Sequence, residues 1–278
     1  MAREQVGALL MLLRYRGEAV EEMVGLVEGA RDHAKLPWRF ARKVDLDWPS
    51  YADGRTRGLP WYLLAAVLLA KSGLRVLMHG PSAGPGRQPL IEAMALLGIP
   101  PSTTQGEAEN ALDATGFAFV PLEALSPEIA GLLALRGVLG LRSPMNTVGR
   151  LLDPAGAIGS IDGVFHPAYI ALHLGAASTL GRRVSVIKGG GGEAEWTGLK
   201  PLLVTTSDGE CLWPSVDGAG KPDSTTAADL VDVWFARGAD AAGEAAVIAT
   251  AAVALQAAGR FGEPPDCATE ARRLWAAR

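Results

Sequence analysis

The segment Val76-Leu-Met-His-Gly-Pro-Ser-Ala-Gly-Pro-Gly-Arg87 decides how this chain is arranged. An apolar strand, Arg75 to Met78, leads into a loop rich in glycine and proline, and the loop opens into an apolar helix, Pro89 to Leu97. In open α/β sheets, ligands sit at the carboxyl ends of such strands, against helix N-termini that favour anions. The segment therefore predicts either an anion site or a tight strand-to-helix turn that needs glycine for its backbone angles.

Composition and charge indicate a globular protein with a sizeable core. The 278 residues are 49% hydrophobic and 20% charged, which suits one large domain or two modest ones. The net charge of −4 disfavours a wholly basic nucleic-acid binder but leaves room for a local basic patch. Cys211 and Cys267 stand far apart, in no spacing typical of a metal site or a disulfide framework, which agrees with a reducing cytosol.

The first residues and the apolar segments predict a cytoplasmic protein. Residues 1–5 carry charges of both signs, unlike a secretory signal peptide. The longest apolar helix candidates, Leu59 to Ala70 and Ala245 to Ala258, are too short to cross a bilayer. We therefore expect no association with a membrane.

Strand and helix patterns alternate along the chain. Residues 44–97 have the pattern β-loop-α-β-loop-α, which favours a right-handed parallel unit. Leu202 to Thr206 and Glu210 to Trp213 flank Asp208-Gly209, a strong hairpin signal. Residues 142–154 are rich in turn-forming residues and are predicted to be a connector. The pattern predicts an α/β fold.

Two glycine-containing loops follow two predicted strands, and each carries polar side chains. His79 and Arg87 lie in the first loop, and Lys188, Glu193 and Glu195 lie in the second. Such loops let backbone N–H groups approach an anion, and a carboxylate can add a ligand for Mg²⁺. Two other interpretations stay open: a solvated loop for the glutamates and a structural role for the histidine.

Other sequence motifs narrow the classes of ligand and reaction that the chain could serve. Neither glycine loop matches a P-loop or a dinucleotide-binding fingerprint, and no HExxH motif is present. Arg136 and Arg142 stand six residues apart, near a predicted helix end. Arginine suits planar recognition of a carboxylate or a phosphate, although ion pairs on a helix surface would use the same spacing.

A family resemblance begins in this region. The segment Arg136-Gly-Val-Leu-Gly-Leu-Arg-Ser-Pro-Met-Asn146 resembles the R-x-x-L-G-x-R-T-x-x-N segment of anthranilate phosphoribosyltransferases, whose wider family includes the pyrimidine nucleoside phosphorylases. Further segments resemble the family's early helix hairpin, its K-H-G strand, its N-x-x-G-P turn and its metal-binding G-x-D-E loop, and they occur in the same order: Leu12–Met23, Lys71–Gly80, Asn146–Pro154 and Lys188–Glu193.

The resemblance implies a small helical domain, a larger α/β domain with a central, mostly parallel sheet flanked by helices, and a site in the cleft between them. The helical domain would comprise residues 1–42 and 104–145, and the α/β domain residues 43–103 and 146–278. It also implies a homodimer formed through the helical domain and a further helix pair before residue 1.

The resemblance also implies residue roles. Arg136 matches the arginine that contacts anthranilate in the family, and His79, Gly80 and Asn146 match substrate-binding positions. Glu193 would be a Mg²⁺ ligand. The expected ligand is a phosphorylated small molecule.

The departures from the family motifs reduce the activity that we expect. The family's phosphoribosyl-pyrophosphate loop, G-T-G-G-D, corresponds to Ser50-Tyr-Ala-Asp-Gly54, in which Tyr51 adds bulk and two glycines are gone. K-H-G-N-R becomes Met78-His-Gly-Pro-Ser82, and the paired carboxylates become Gly192-Glu193. Since this chemistry depends on positioning the donor and stabilising departing pyrophosphate, we expect phosphoribosyl transfer to anthranilate to be weak or absent.

Nucleic-acid binding is the alternative function. The chain looks closest to a divergent branch of the family that lacks the phosphoribosyl-pyrophosphate motif and includes members implicated in nucleic-acid binding. Its first loop is similar to Tyr51-Ala-Asp-Gly-Arg55-Thr-Arg57. Arg39, Arg42 and Lys43 lie nearby in sequence and would extend the patch that Arg55 and Arg57 begin. Such a patch would contact phosphates with a strong salt dependence, whereas scattered surface arginines would not.

Overall fold

The structure is a computed structural model that describes residues 2–51 and 58–278. Arg55 and Arg57, the two arginines of the expected nucleic-acid patch, lie outside the described residues. No helix within the described residues combines the length and the hydrophobicity that crossing a membrane requires.

The described residues form one seven-stranded sheet in the order β3-β2-β1-β4-β5-β6-β7. The strands are β1 Leu46–Pro49, β2 Val76–Gly80, β3 Phe117–Pro121, β4 Gly159–Val164, β5 Val184–Lys188, β6 Leu202–Thr206 and β7 Gly209–Trp213. The first five strands pair in parallel, and β6 and β7 add an antiparallel edge. The predicted α/β class with a central, mostly parallel sheet is therefore confirmed, as is the β6–β7 hairpin.

Helices cover both faces of the sheet. The first seven are α1 Arg3–Arg16, α2 Val20–His33, α3 Trp61–Lys71, α4 Gln88–Leu96, α5 Gln105–Thr115, α6 Leu122–Leu125 and α7 Pro127–Ala134. The remaining six are α8 Arg136–Leu139, α9 Met145–Arg150, α10 Ile170–Thr179, α11 Ala227–Trp234, α12 Ala241–Ala257 and α13 Pro264–Ala276.

The core on one face of the sheet is built around α3 and α12. Both helices are apolar on nearly every side, which is typical of helices enclosed by other elements. They pack against each other, and α13 covers α12. Gly243 permits this contact, because a Cβ atom there would lie 2.3 Å from the ring of Trp61.

A second core joins the N-terminal helices to the sheet. Helix α2 packs against α9 and α10, and α10 packs against β5. Met23 and Val27 of α2 are fully buried in this core, together with Val148 of α9. The N-terminal helix pair is thereby fixed next to the carboxyl ends of the central strands.

Two predictions and one helix boundary need comment. The predicted connector at residues 142–154 is wrong, because it contains α9, a fully buried helix of six residues, too short to show helical periodicity. The helix that starts at Ser126 ends at Ala134, and the separate one-turn α8 ends at Gly140 in the left-handed conformation. Strand β3, within residues 104–145, pairs with β2 in the sheet, while the division into two domains stays a prediction.

Candidate functional site

Polar side chains gather at the carboxyl ends of β1, β2, β4 and β5. The parallel pairing of β1 with β2 sets Pro49 opposite His79, so the loops that follow these strands start side by side. Ser50 N donates a hydrogen bond to His79 O at 2.8 Å. A Cβ atom at Gly80 would lie 2.0 Å from Ser50 O, so this close approach requires glycine. Gly80 therefore brings the two loops together.

His79 belongs to a buried chain of three side chains. Its Nδ1 lies 2.9 Å from the hydroxyl of Tyr51, and its Nε2 lies 3.1 Å from Asp47 Oδ1. Asp47 Oδ2 in turn accepts hydrogen bonds from Ser160 at 2.9 Å and from Arg182 at 3.2 Å. His79 is fully buried, and Tyr51 connects it to the cavity described below.

Burial and charge set the protonation states in this chain. Burial alone would raise the pKa of Asp47. The interactions of this carboxylate with His79 and Arg182 lower the pKa by more than burial raises it, so the pKa of Asp47 lies below its usual value. Burial raises the pKa of Tyr51 well above its usual value, and the negative charge of Asp47 adds to this effect. Asp47 is therefore ionised at neutral pH, and Tyr51 carries a neutral hydroxyl.

Arg87 links the loops after β1, β2 and β5. Its Nε donates to Pro81 O at 2.7 Å, and its Nη1 donates to Ser50 Oγ at 3.0 Å and contacts Glu193 Oε1 at 3.3 Å. Arg87 is only 4% exposed and Glu193 only 1%. Two oppositely charged groups are thus held inside the site by loops that are far apart in sequence.

A cavity of about 350 Å³ opens beside Arg87. The loop after β2 forms one wall, and α7 and α8 form the opposite wall. Leu122 and Leu133 give these walls an apolar surface, while Tyr51, Arg87, Arg136 and the acidic Glu123 contribute polar groups. The cavity can enclose the apolar body of a small molecule and present two guanidinium groups to an anionic substituent.

Of the predicted substrate-binding residues, Arg136 and Asn146 line two different clefts, and His79 and Gly80 line neither of them. Arg136 lines the cavity of about 350 Å³, and its role as a substrate contact stays a prediction. Asn146 and Arg142 line a separate cleft of about 60 Å³ between the first helices and the carboxyl end of β4. Residues of the single motif from Arg136 to Asn146 therefore line two different clefts, because α8 ends at Gly140 and the chain turns before α9 begins.

Asn146 lies within a bonded network around Arg150. Asn146 Oδ1 accepts from Ser143 N at 3.3 Å, and Asn146 O accepts from Arg150 Nη1 at 2.7 Å. Arg150 also donates to Gly163 O at 3.1 Å and to Gly192 O at 3.2 Å. This arginine joins α9 to β4 and to the glycine loop after β5.

Both carboxylates after β5 have partners within the protein. Glu193 contacts the guanidinium of Arg87, and Glu195 Oε2 accepts a hydrogen bond from Tyr62 N at 3.0 Å, in the first turn of α3. Within residues 2–51 and 58–278, no group of three or more His, Cys, Asp or Glu side chains is arranged to hold a metal ion. Mg²⁺ is usually held by one or two carboxylates together with water and substrate phosphates, and here the guanidinium of Arg87 already occupies the carboxylate of Glu193, which disfavours resident Mg²⁺. Glu193 as a Mg²⁺ ligand gains no support from the arrangement.

Arg87 and Tyr51 are the site residues whose roles sequence reasoning missed. Arg87 was recognised as a polar loop residue, but nothing in its local sequence reveals a partner 106 residues away. Tyr51 was expected only to add bulk, whereas its hydroxyl bonds to His79 and its ring lines the cavity. Both roles depend on which strands lie next to each other.

The comparisons with known proteins concern the helices, the whole sequence and the fold. Residues 1–34 match the glycosyl transferase family, helical bundle domain. The uncharacterised protein YbiB of Escherichia coli (strain K12) is 32% identical over 192 residues, covering 68% of this chain and 60% of that protein. Anthranilate phosphoribosyltransferase of Anaeromyxobacter sp. (strain Fw109-5) is 30% identical over 209 residues, covering 74% of this chain and 61% of the enzyme.

The solved structures resemble nearly all of this chain. Anthranilate phosphoribosyltransferase from Thermus thermophilus superposes with a TM-score of 0.82 at 26% identity, over 99% of this chain and 86% of that one. The enzyme from Saccharomyces cerevisiae, in complex with PRPP and Mg, has a TM-score of 0.80 over 99% of this chain and 81% of its own, and at 15% identity it shows the fold alone. The chain spans about three fifths of the length of the curated relatives it matches. With its N-terminal helices, much of its sequence and its fold all shared, this chain belongs to the glycosyl transferase family that contains the anthranilate phosphoribosyltransferases.

Proposed function

We propose that this chain binds an anionic small molecule in the cavity between Arg87 and Arg136, and that it transfers a phosphoribosyl group to anthranilate weakly or not at all. The observation that carries the proposal is the cavity itself, whose mostly apolar lining includes two arginines, Arg87 and Arg136, against one carboxylate, Glu123. Its volume of about 350 Å³ lies within the range of sites that enclose small ligands. Arginine pairs suit a carboxylate or a phosphate, while the walls bury an apolar body.

The loops around Arg87 support weak phosphoribosyl transfer. Such transfer requires positive charge close to the departing pyrophosphate. The enzyme from Saccharomyces cerevisiae was solved in complex with PRPP and Mg. In this chain, Arg87 and Glu193 contact each other across the corresponding loops, so part of each charge is neutralised by the other. Tyr51 fills space beside His79 that a glycine-rich loop leaves open for a donor.

The test measures binding and turnover separately. Calorimetric titrations with anthranilate and with phosphoribosyl pyrophosphate, in buffer containing Mg²⁺, report binding, and the loss of anthranilate fluorescence reports transfer. We expect Arg136→Ala to weaken binding of an anionic ligand by about tenfold or more, because a charged hydrogen bond is lost. Arg142→Ala is the matched control, since Arg142 lines the other cleft.

Two results would contradict the proposal. Absence of binding of both anions would argue against an anion site in the cavity. Turnover within the usual range for enzymes, on the order of 1 to 1000 per second, would show that the altered loops still catalyse transfer.

Nucleic-acid binding is the second candidate function. It is supported by the connector after α2, in which Arg39, Arg42 and Lys43 are all exposed. The connector is held to α5, because Ala41 N donates to Glu109 Oε1 at 2.7 Å. A patch of this kind binds phosphates without sequence preference, and its affinity falls steeply as salt rises.

The test of this second function titrates single-stranded DNA at two salt concentrations. The combined variant Arg39→Ala/Arg42→Ala/Arg55→Ala/Arg57→Ala should lose DNA binding and leave anion binding in the cavity unchanged. DNA binding that persists in this variant, or that does not respond to salt, would contradict a role for the patch.

A further inference from the structure

We propose that Arg87 supplies the positive charge for a phosphate or diphosphate ligand in this chain, so that anion binding in the cavity does not require Mg²⁺. The inference rests on the proposed anion-binding function and specifies its chemistry. It follows from three observations: a fixed and buried guanidinium, a nitrogen of that guanidinium with no partner among the described residues, and carboxylates that are already engaged.

The guanidinium of Arg87 is held in one place by the backbone and side chains of three loops. Pro81 O accepts from Nε at 2.7 Å, Ser50 Oγ accepts from Nη1 at 3.0 Å, and Glu193 Oε1 lies 3.3 Å from Nη1. Ser50 Oγ is itself 3.0 Å from the hydroxyl of Tyr62. A cation fixed in this way needs little reorganisation when an anion binds.

One nitrogen of this guanidinium is buried without a hydrogen-bond partner among the residues that the structure describes. Within the described part of the chain, Nη2 of Arg87 has no hydrogen-bond partner, although the residue is only 4% exposed. Arg87 lines the cavity that also contains Arg136, and it lines a narrow pocket of about 10 Å³ beside Glu193. A buried donor without a partner costs free energy, which an oxyanion at this nitrogen would recover.

The same arrangement disfavours a metal ion beside Glu193. Mg²⁺ prefers six oxygen ligands in near-octahedral geometry, and it would carry two positive charges next to the guanidinium already bound there. Glu195 does not complete a metal site, because its Oε2 accepts from the backbone of α3. The positive charge near the ligand therefore belongs to a side chain of the protein.

The primary experiment is a calorimetric titration of the full chain with inorganic pyrophosphate, in buffer with excess Mg²⁺ and in the same buffer with a chelator in place of Mg²⁺. We expect the two dissociation constants to agree within about twofold, after correction for the binding of Mg²⁺ to free pyrophosphate. A dissociation constant at least about tenfold lower in Mg²⁺ would overturn the inference while leaving the anion site intact. Absence of binding in both buffers would contradict the proposed function, and this inference with it.

Substitutions of single arginines test which positive charge binds pyrophosphate. Arg87→Met removes the guanidinium and keeps an unbranched side chain, and we expect it to weaken pyrophosphate binding by about tenfold or more in both buffers. Arg142→Met is the matched control from the other cleft and should bind as the unaltered chain does. Unchanged binding by Arg87→Met would overturn the inference.

Glu193→Gln gives an answer that does not depend on how Arg87→Met folds. This variant removes the negative charge that neutralises Arg87, so pyrophosphate should bind more tightly in both buffers. Weaker binding confined to the Mg²⁺ buffer would identify Glu193 as a metal ligand and overturn the inference. Thermal unfolding of each variant establishes that the protein titrated is folded.

Discussion

Tyr51 occupies a narrow space between His79 and α9. The rings of Tyr51 and His79 meet edge to face, with their centroids 5.3 Å apart. On the other side of the Tyr51 ring lies Gly149, where a Cβ atom would be 2.6 Å from Tyr51 Cε1. Gly149 is thus required by the ring that faces it, and the wall of the cavity depends on this contact.

At this scale we expect Gly149→Ala to lower the free energy of unfolding by about 1–3 kcal/mol, because the added methyl group overpacks a closed core. Urea unfolding measures the change. Gly29→Ala is the control, since Gly29 is an exposed helical glycine with open space around it, and it should be neutral or stabilise by up to about 1 kcal/mol. In a Tyr51→Ala background the added methyl group should cost almost nothing. An undiminished cost there would show that Tyr51 is not the obstacle.

At the scale of elements, Asp240 anchors α12, the long helix of the main core. Its Oδ1 accepts from Gly243 N at 2.8 Å as an N-cap. Its Oδ2 accepts from Asp223 N, from Ser224 N and from Ser224 Oγ, at 2.9, 2.8 and 2.7 Å. Burial would raise the pKa of Asp240, but these hydrogen bonds outweigh it and hold the pKa below the usual value. One carboxylate therefore both starts α12 and holds the segment before α11.

We expect Asp240→Ala to lower the free energy of unfolding by about 1–3 kcal/mol at neutral pH, because a cap and further hydrogen bonds are lost. Since the folded-state pKa lies below the unfolded value of about 3.9, the stabilisation is complete above that value and is lost as the pH falls through the folded pKa. The difference between the unaltered chain and the variant should therefore shrink below about pH 4 in urea titrations.

Asp232→Ala is the control for this helix anchor, because Asp232 forms an exposed pair with Arg237 and should contribute less than about 1 kcal/mol. A constant difference between Asp240→Ala and the unaltered chain from neutral pH to pH values well below about 4 would contradict the role given to the ionised carboxylate.

At the scale of the whole molecule, α1 exposes a row of apolar side chains. Leu9, Leu12 and Tyr15 recur every three residues along α1, and they are 46%, 67% and 93% exposed. Apolar side chains grouped on one helix face are typical of a contact surface. This face lies in the segment that matches the family's helical bundle domain.

We therefore expect a homodimer formed through α1. Light scattering coupled to size-exclusion chromatography should give twice the mass of one chain, and Leu12→Asp should give the mass of one chain. Leu212→Asp is the control, because Leu212 is similarly exposed, at 66%, on the edge strand β7. A monomeric mass for the unaltered chain, or a dimer that Leu12→Asp does not weaken, would contradict this interface.

The sequence by itself determined the features that depend on neighbouring residues. The alternation of strands and helices, the hairpin at Asp208-Gly209 and the segment from Val76 to Arg87 all have local signals, because periodicity and turn chemistry act over a few residues. The same local segments carried the family resemblance and the prediction that Arg136 contacts a ligand, and Arg136 lines a cavity.

Only the tertiary structure decided which charges meet. Arg87 and Glu193 lie 106 residues apart, and Asp47 and Arg182 lie 135 residues apart, yet each pair is in contact. It also separated Arg136 from Asn146 and revealed the short helix α9. The physical reason is that parallel strands bring distant loops to one edge of the sheet, and the order of those strands is set by packing of the whole core.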